Sequence, residues 1–307
     1  MRKPVSPYDR LEAGSFMFAS FRVNRILLSL CSIAAAVSLA AAFCAAGAAA
    51  MRTAESVNGV RLPVIMYHSM LKEQKRLGKY VVSPDTFESD LQYLQRNGYQ
   101  TVTVQDLVDY VHTQRPLPEK PVMLTFDDGY YNNYAYAYPL AKKYGAKMVI
   151  APIGYYTDLF SKEDADHPNY SHLTWDEITE MMSSGLVEFQ NHSYNLHATK
   201  GRLGAQKLRR ESVSAYTDML RRDVGKMQEK MEENTGYKPI AFIYPFGASS
   251  KESDSILKQM GFQATFLCTE KINMITKDPE CLYSLGRFLR PARISSEAYF
   301  RKIGLAG

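Results

Sequence analysis

Between Leu62 and Ile303 strand-like and helix-like segments alternate, and this constrains the fold more than any single motif. A short apolar run that returns only after a helix cannot be a hairpin partner of the run before it. The economical packing is a parallel sheet with helices on its faces, open or closed into a barrel. Strand expectations fall at Leu62–Tyr67, Pro121–Leu124, Lys147–Ile153, Leu186–Gln190, Ile240–Tyr244, Ala264–Leu267 and Leu282–Gly286. Between them, Ser83-Pro84 reads as a cap plus first-turn proline for a helix with Phe87, Leu91 and Leu94 on one face, stopped at Gly98. Thr101 to Val104 reads as extended and Gln105–His112 as helical. A tyrosine-rich helix is expected from about Asn132 to Tyr144, kinked by Pro139. Thr174-Trp175-Asp176-Glu177 is a capping box for a helix ending near Gly185. Further helices are expected at Leu208–Asn234, closed by Gly236, at Ser250–Met260 and at Ser295–Ile303.

The residues with chemical potential sit where these strands end. Thr125-Phe126-Asp127-Asp128-Gly129 closes the second run. Two carboxylates at the end of a buried strand are costly without partners, and adjacent side chains on an extended chain point to opposite sides. One is suited to hold a cation and the other to handle a proton beside it. On those residues alone a plain Asp-Asp-Gly turn is also open. Asn191-His192-Ser193-Tyr194-Asn195-Leu196-His197 follows another strand and shifts the reading to a metal site. On a helix His192 and His197 would lie about 140° apart, so they are expected in a loop after the strand. Two imidazoles with one carboxylate suit catalytic zinc with a position left for water, although cobalt, nickel or iron can take such a set. In a (β/α) barrel the C-terminal strand ends carry the active site.

The N-terminal part reads separately. Residues 26–50 form a 25-residue stretch without a charge, rich in Ala, Leu, Ile and Val and preceded by Arg22 and Arg25. That is long enough to span a bilayer with the preceding residues inside. We expect a cytoplasmic tail over 1–25, a signal anchor over 26–50, a linker over 51–60 and one folded domain over 61–307. A long signal peptide cut near Ala48-Ala49-Ala50 is the alternative. Either way the domain is exported, to the cell membrane with its catalytic part outside, or secreted. The net charge of +5 belongs mostly to the tail, where five basic residues face two acidic ones. The body lacks a basic stripe with interleaved aromatics, so nucleic acid is not an expected partner. Outside the apolar stretch the cysteines are Cys268 and Cys281, which an oxidising compartment would allow either to pair or to stay free.

Thr125-Phe126-Asp127-Asp128-Gly129 with His192-Ser193 and His197 resembles the NodB-homology polysaccharide deacetylases, carbohydrate esterase family 4, over roughly residues 60–305. The resemblance implies a distorted (β/α) barrel and a metal-dependent hydrolase of N-acetylated polysaccharides. It implies Asp127 as general base, Asp128, His192 and His197 as metal ligands, and Tyr244-Pro245-Phe246-Gly247 as a groove motif in which Phe246 offers a backbone N–H to an oxyanion. Three departures stand out. The histidine spacing is five rather than four, Ile243 occupies the place of an expected arginine, and no histidine lies in Ser284–Arg290. The chain is most similar to the exported poly-N-acetylglucosamine deacetylase branch, whose acid histidine stands at the start of the domain. Pro63–Met70 resembles that segment, which implies His68 as general acid, with Arg287 replacing the missing arginine at Asp127.

The substrate implied is an N-acetylglucosamine polymer of the wall or matrix, and the partners are that polysaccharide and, through the N-terminal helix, the membrane. An esterase or amidase acting on another acylated substrate, and an inactive wall-binding relative, are the alternatives. His112, His167 and His172 fit surface positions and receive no role. Trp175 is expected to pack the start of its helix. Tyr134, Tyr136 and Tyr138 are expected to pack against the barrel, while Tyr130 and Tyr131 are close enough to the aspartates to line a groove.

Overall fold

The computed structural model describes residues 59–305 apart from 114, 164 and 165. The tail, the apolar stretch 26–50 and most of the linker lie outside the described residues. Among the described residues no helix is long and apolar enough to cross a membrane.

Seven parallel segments form the central structure. They are β1 (Val64–Tyr67), β2 (Pro121–Asp128), β3 (Met148–Pro152), β4 (Val187–Phe189), β5 (Ala241–Ile243), β6 (Ala264–Phe266) and β7 (Phe288–Leu289). The ladder runs β7-β1-β2-β3-β4, and β5 pairs with β6. Two isolated parallel bridges, Asn191 to Phe242 and Phe266 to Leu285, join these pieces into a closed ring. The interruptions at those two seams make the barrel distorted rather than regular.

Strand alternation sorts the core. Val64, Met123, Val149, Ala241, Ile243, Ala264 and Phe266 form one apolar cluster, joined by Leu107 and Val111 of the helix Val104–Thr113. Ile65, Leu124, Phe126, Ile150 and Phe189 belong to a second, which packs against the surrounding helices. Thr125 shares the parity of Met123, and so does Asp127. The register sets Asp127 opposite Ala151 and Asp128 opposite Pro152.

Local rules account for most elements. Ser83 caps the helix Pro84–Arg96 by accepting from the Thr86 N–H, and Thr174 with Glu177 closes a complete capping box on the helix Trp175–Ser183. Trp175 is buried and donates its indole N–H to Asp158 at 3.0 Å. Three expectations shift. The long helix begins at Val213, not Leu208, because Ser212 caps it while Arg202 pairs with Glu211 just before it. Leu282–Gly286 is not a strand: a short helical turn occupies Pro279–Leu282, and only Leu285 bridges before β7. The tyrosine segment is a π-helical turn at Asn133–Ala137 followed by an α-helix at Tyr138–Tyr144, with Pro139 in its first turn. Pro139, which has no N–H to give the preceding turn, thus comes just after the π-helical turn.

A fully buried ion pair fastens the C-terminal segment. Arg290 gives two hydrogen bonds to the Asp90 carboxylate, at 2.8 and 3.0 Å, and Tyr67 donates to the same carboxylate at 2.9 Å. Asp90→Ala would strand the guanidinium in the core. We expect a loss of about 3–5 kcal/mol in urea unfolding; a loss below about 1 kcal/mol would show that the pair carries no structural load.

Candidate active site

The site forms at the C-terminal ends of the barrel strands, in a cleft of about 430 Å³. Its wall includes His68, Tyr80, Asp127, Asp128, Tyr130, His192, His197, Phe246 and Cys268. A larger cavity of about 700 Å³ lies elsewhere, among Leu94, Tyr99, Thr101, Asp106, Arg115 and Lys147. Several of those residues precede strands, so that cavity sits at the opposite end of the barrel. Chemistry, not size, identifies the site: among the described residues only Asp128, His192 and His197 bring three metal-type ligand atoms within 4.8 Å of one another.

Asp127 points inward and meets Arg287, whose two terminal nitrogens donate to its two oxygens at 2.6 and 2.8 Å. Burial alone would raise the Asp127 carboxyl, but the charge and hydrogen bonds of Arg287, together with His192 and His68 nearby, outweigh it and keep the pKa below the ordinary carboxylate value. Arg287 is completely buried and also donates to the Leu267 carbonyl and to Thr125.

Asp128 would face the opposite way on an ideal strand. Its φ is +70°, a left-handed conformation that costs a residue other than glycine about 1–3 kcal/mol, and the chain leaves the strand there. Gly129 follows with φ +68°, and a Cβ on it would lie 2.6 Å from Pro152. The Oδ1 atom of Asp128 then lies 3.5 Å from His192 Nε2 and 3.2 Å from His197 Nε2. Burial opposes charge on Asp128, yet the two histidines beside it hold its carboxyl well below the ordinary range.

The histidine loop is braced on both sides. His192 Nδ1 donates to the Ile243 carbonyl at 2.8 Å, so in the neutral ring Nε2 carries the lone pair and turns it toward Asp128. Ser193 takes φ +72°, and the two oxygens of Asp223 accept from the Tyr194 and Asn195 N–H groups at 2.9 and 3.0 Å. His197 packs on the half-exposed Phe246 ring, centroids 4.3 Å apart. Phe246 itself has φ +59°, in the tight turn Pro245–Gly247. A Cβ on Gly247 would lie 2.7 Å from the Cys268 backbone nitrogen.

The donor set fits a divalent ion. Asp128 Oδ1 is a buried oxygen without a hydrogen-bond partner, and the lone pairs of His192 and His197 converge on it. Such an arrangement leaves an uncompensated charge unless a cation is shared among the three.

His68 lies across the cleft floor, with Nε2 3.9 Å from Asp127 Oδ2 and its ring 4.9 Å from that of Tyr80. Burial lowers its pKa, against the pull of Asp127 and Asp128. The sequence expectations Asp127, Asp128, His192, His197, His68, Phe246 and Arg287 thus meet around one cleft. Tyr130 lines it, whereas Tyr131 turns toward Tyr134 instead. One open alternative is decided and one expectation needs correction. Cys268 and Cys281 are both free thiols: Cys268 lies 3.8 Å from Arg287, while Cys281 packs against Thr276. His172 is buried, not on the surface, and reaches the Asp128 backbone. Neither Asp223 nor His172 lies in a motif, so no spacing in the sequence marks them.

Comparison with known proteins finds relatives in sequence and in overall fold. A family model described as polysaccharide deacetylase matches residues 114–265. The poly-β-1,6-N-acetyl-D-glucosamine N-deacetylase of Escherichia coli K12 is 28% identical over 223 residues, covering 66% of this chain and 33% of that protein. The chain therefore spans about a third of the length of that relative. The protein of the same name from Staphylococcus epidermidis is 24% identical over 237 residues, 77% of this chain and 76% of that one. Among solved structures, a de-N-acetylase from Aggregatibacter actinomycetemcomitans is 30% identical with a TM-score of 0.65, covering 79% of this chain and 98% of that one. IcaB from Ammonifex degensii is 27% identical with a TM-score of 0.64, covering 81% and 97%.

The convergent set makes a direct prediction. His192→Ala and Asp128→Asn should each abolish stoichiometric binding of a divalent ion, measured by elemental analysis after dialysis. An undiminished ion in either variant would mean that these residues are not its ligands.

Proposed function

The chain belongs to the polysaccharide deacetylases, carbohydrate esterase family 4, and on that premise we propose that it hydrolyses N-acetyl groups from an N-acetylglucosamine polymer outside the cell. The observation that carries the reading is the pair of adjacent carboxylates with separate partners: Asp127 on Arg287 and Asp128 on the two histidines. A wall-binding relic has no need of a buried, charge-stabilised Asp127 beside a complete ligand set. The shared name of the relatives supports poly-N-acetylglucosamine as the polymer.

Asp128, His192 and His197 would hold a divalent ion, zinc by the chemistry of the set, which when bound acidifies water and polarises the acetyl carbonyl. Asp127, ionised by Arg287, accepts a proton from the attacking water as the water oxygen bonds the acetyl carbon. The C–N bond breaks, and His68 gives a proton to the departing sugar nitrogen. The Phe246 N–H donates to the oxygen that becomes negative, a contribution of the oxyanion-hole type. The products are acetate and a free amine. One proton then stands on Asp127 and one is missing from His68, and their 3.9 Å separation lets the pair reset.

The exported location is part of the proposal. It is supported by the uncharged stretch 26–50 behind Arg22 and Arg25, read as a signal anchor. A C-terminal tag should be protease-accessible on intact cells and remain with the membrane fraction; a cytosolic tag would overturn it.

For the chemistry, acetate release from poly-N-acetylglucosamine should disappear with a chelator and return with added Zn²⁺ or Co²⁺. His68→Ala should keep the ion and lose about 10²–10⁴-fold in kcat on the amide. Esters with a good leaving group need no protonation, so the variant should hydrolyse them nearly as fast as the native protein. Equal damage on both substrates would make His68 structural.

A further inference from the structure

His172 takes no part in the steps above, yet it is 8% exposed and lies directly behind the proposed ligand Asp128. Its ring stacks on Tyr156, centroids 4.5 Å apart and planes 15° apart, with Tyr130 at 4.8 Å on another side. An aromatic of similar size would satisfy that packing. What a histidine adds is Nδ1, which lies 3.0 Å from the backbone carbonyl oxygen of Asp128. A carbonyl only accepts, so Nδ1 carries the proton and donates.

The surrounding backbone explains why that bond matters. Residues 171–173 run as a strap beside 129–131. Tyr131 N–H donates to the Ser171 carbonyl at 2.9 Å, Leu173 N–H donates to the Gly129 carbonyl at 2.8 Å, and Tyr130 bridges His172. Asp128, just before residues 129–131, holds the left-handed φ of +70° that carries its side chain out of strand alternation. The Ile153 N–H also points at the Asp128 carbonyl, but from 3.4 Å. The shorter bond on that peptide group is therefore a side-chain bond, made by His172.

We propose that His172 is a positioning residue for the metal site: its Nδ1–H bond to the Asp128 carbonyl holds the strained backbone that aims Oδ1 at His192 and His197. The proposal rests on Asp128, His192 and His197 being the ligands. Partners one shell out from a ligand typically change metal affinity by about 10–100-fold when removed.

The test is Co²⁺ binding to the full chain in detergent, followed by titration calorimetry and by the visible absorption of the bound ion. His172→Phe keeps the stack on Tyr156 and removes the donor. It should bind Co²⁺ about 10-fold more weakly, with an altered absorption band. His172→Asn loses the ring but returns an N–H near the Nδ1 position, and should recover most of the affinity. The urea midpoint of the metal-free forms reports folding separately. Should His172→Phe not fold, His172→Asn binding more tightly than His172→Ala would support the proposal. Native affinity and absorption in His172→Phe would overturn it, as would Asn and Ala variants that bind alike. A native chain that binds no Co²⁺ would instead refute the ligand assignment, taking this inference with it.

Discussion

The buried Asp127–Arg287 pair is the interaction on which the site depends. It joins the end of β2 to the segment that links β6 to β7, next to the seam where the barrel closes through single bridges rather than full ladders. Two charges without solvent are tolerated only when every polar atom is matched. Here the guanidinium meets both carboxylate oxygens, a carbonyl and a threonine hydroxyl. The same contacts that satisfy the charge also fix where Asp127 can face. Ile243, at the position where related chains are expected to carry an arginine, instead fills the apolar cluster between the strands. The cation reaches the carboxylate instead from Arg287, in the segment just before β7.

With Asp127 fixed inward, the second carboxylate has to be turned by the backbone. An extended Asp128 would join Phe126 among the outward residues. The left-handed turn at Asp128, made possible by Gly129 against Pro152, brings it into the cleft beside Asp127. A similar device recurs at Ser193 and Phe246, each with positive φ and each next to a group the site uses. Strain of this kind persists only where surrounding contacts hold it. Asp223 supplies that at the histidine loop with two backbone hydrogen bonds, which accounts for a loop that accommodates four residues between the two histidines.

Much of this was legible in the sequence because local rules coincide with the site. The strand run before Asp127, the cap at Ser83 and the Thr174–Glu177 box all depend on neighbours within a few residues, and they appear where expected. The placement of His68, Arg287 and Tyr130 around one cleft was also accessible, from strand ends and from the family resemblance. What escaped depends on distant partners. The long helix starts at Val213 rather than Leu208, capped by Ser212, because the preceding turn is held by Arg202 and Glu211. Leu282–Gly286 has the composition of a strand but spends itself on a helical turn and a single bridge. His172 sits in a stretch without a motif, and only the fold brings it to the Asp128 carbonyl.

In the proposed mechanism the neighbouring carboxylates divide the labour, Asp127 handling the proton and Asp128 the ion. Asp127→Asn tests it most directly, with metal content and acetate release measured on the same sample. The side chain keeps its shape but cannot take a proton from water. The variant should keep an undiminished stoichiometric ion, with kcat lowered by at least about 10²-fold. Loss of the ion together with turnover would contradict that division, because base and ligand would then not be separate residues.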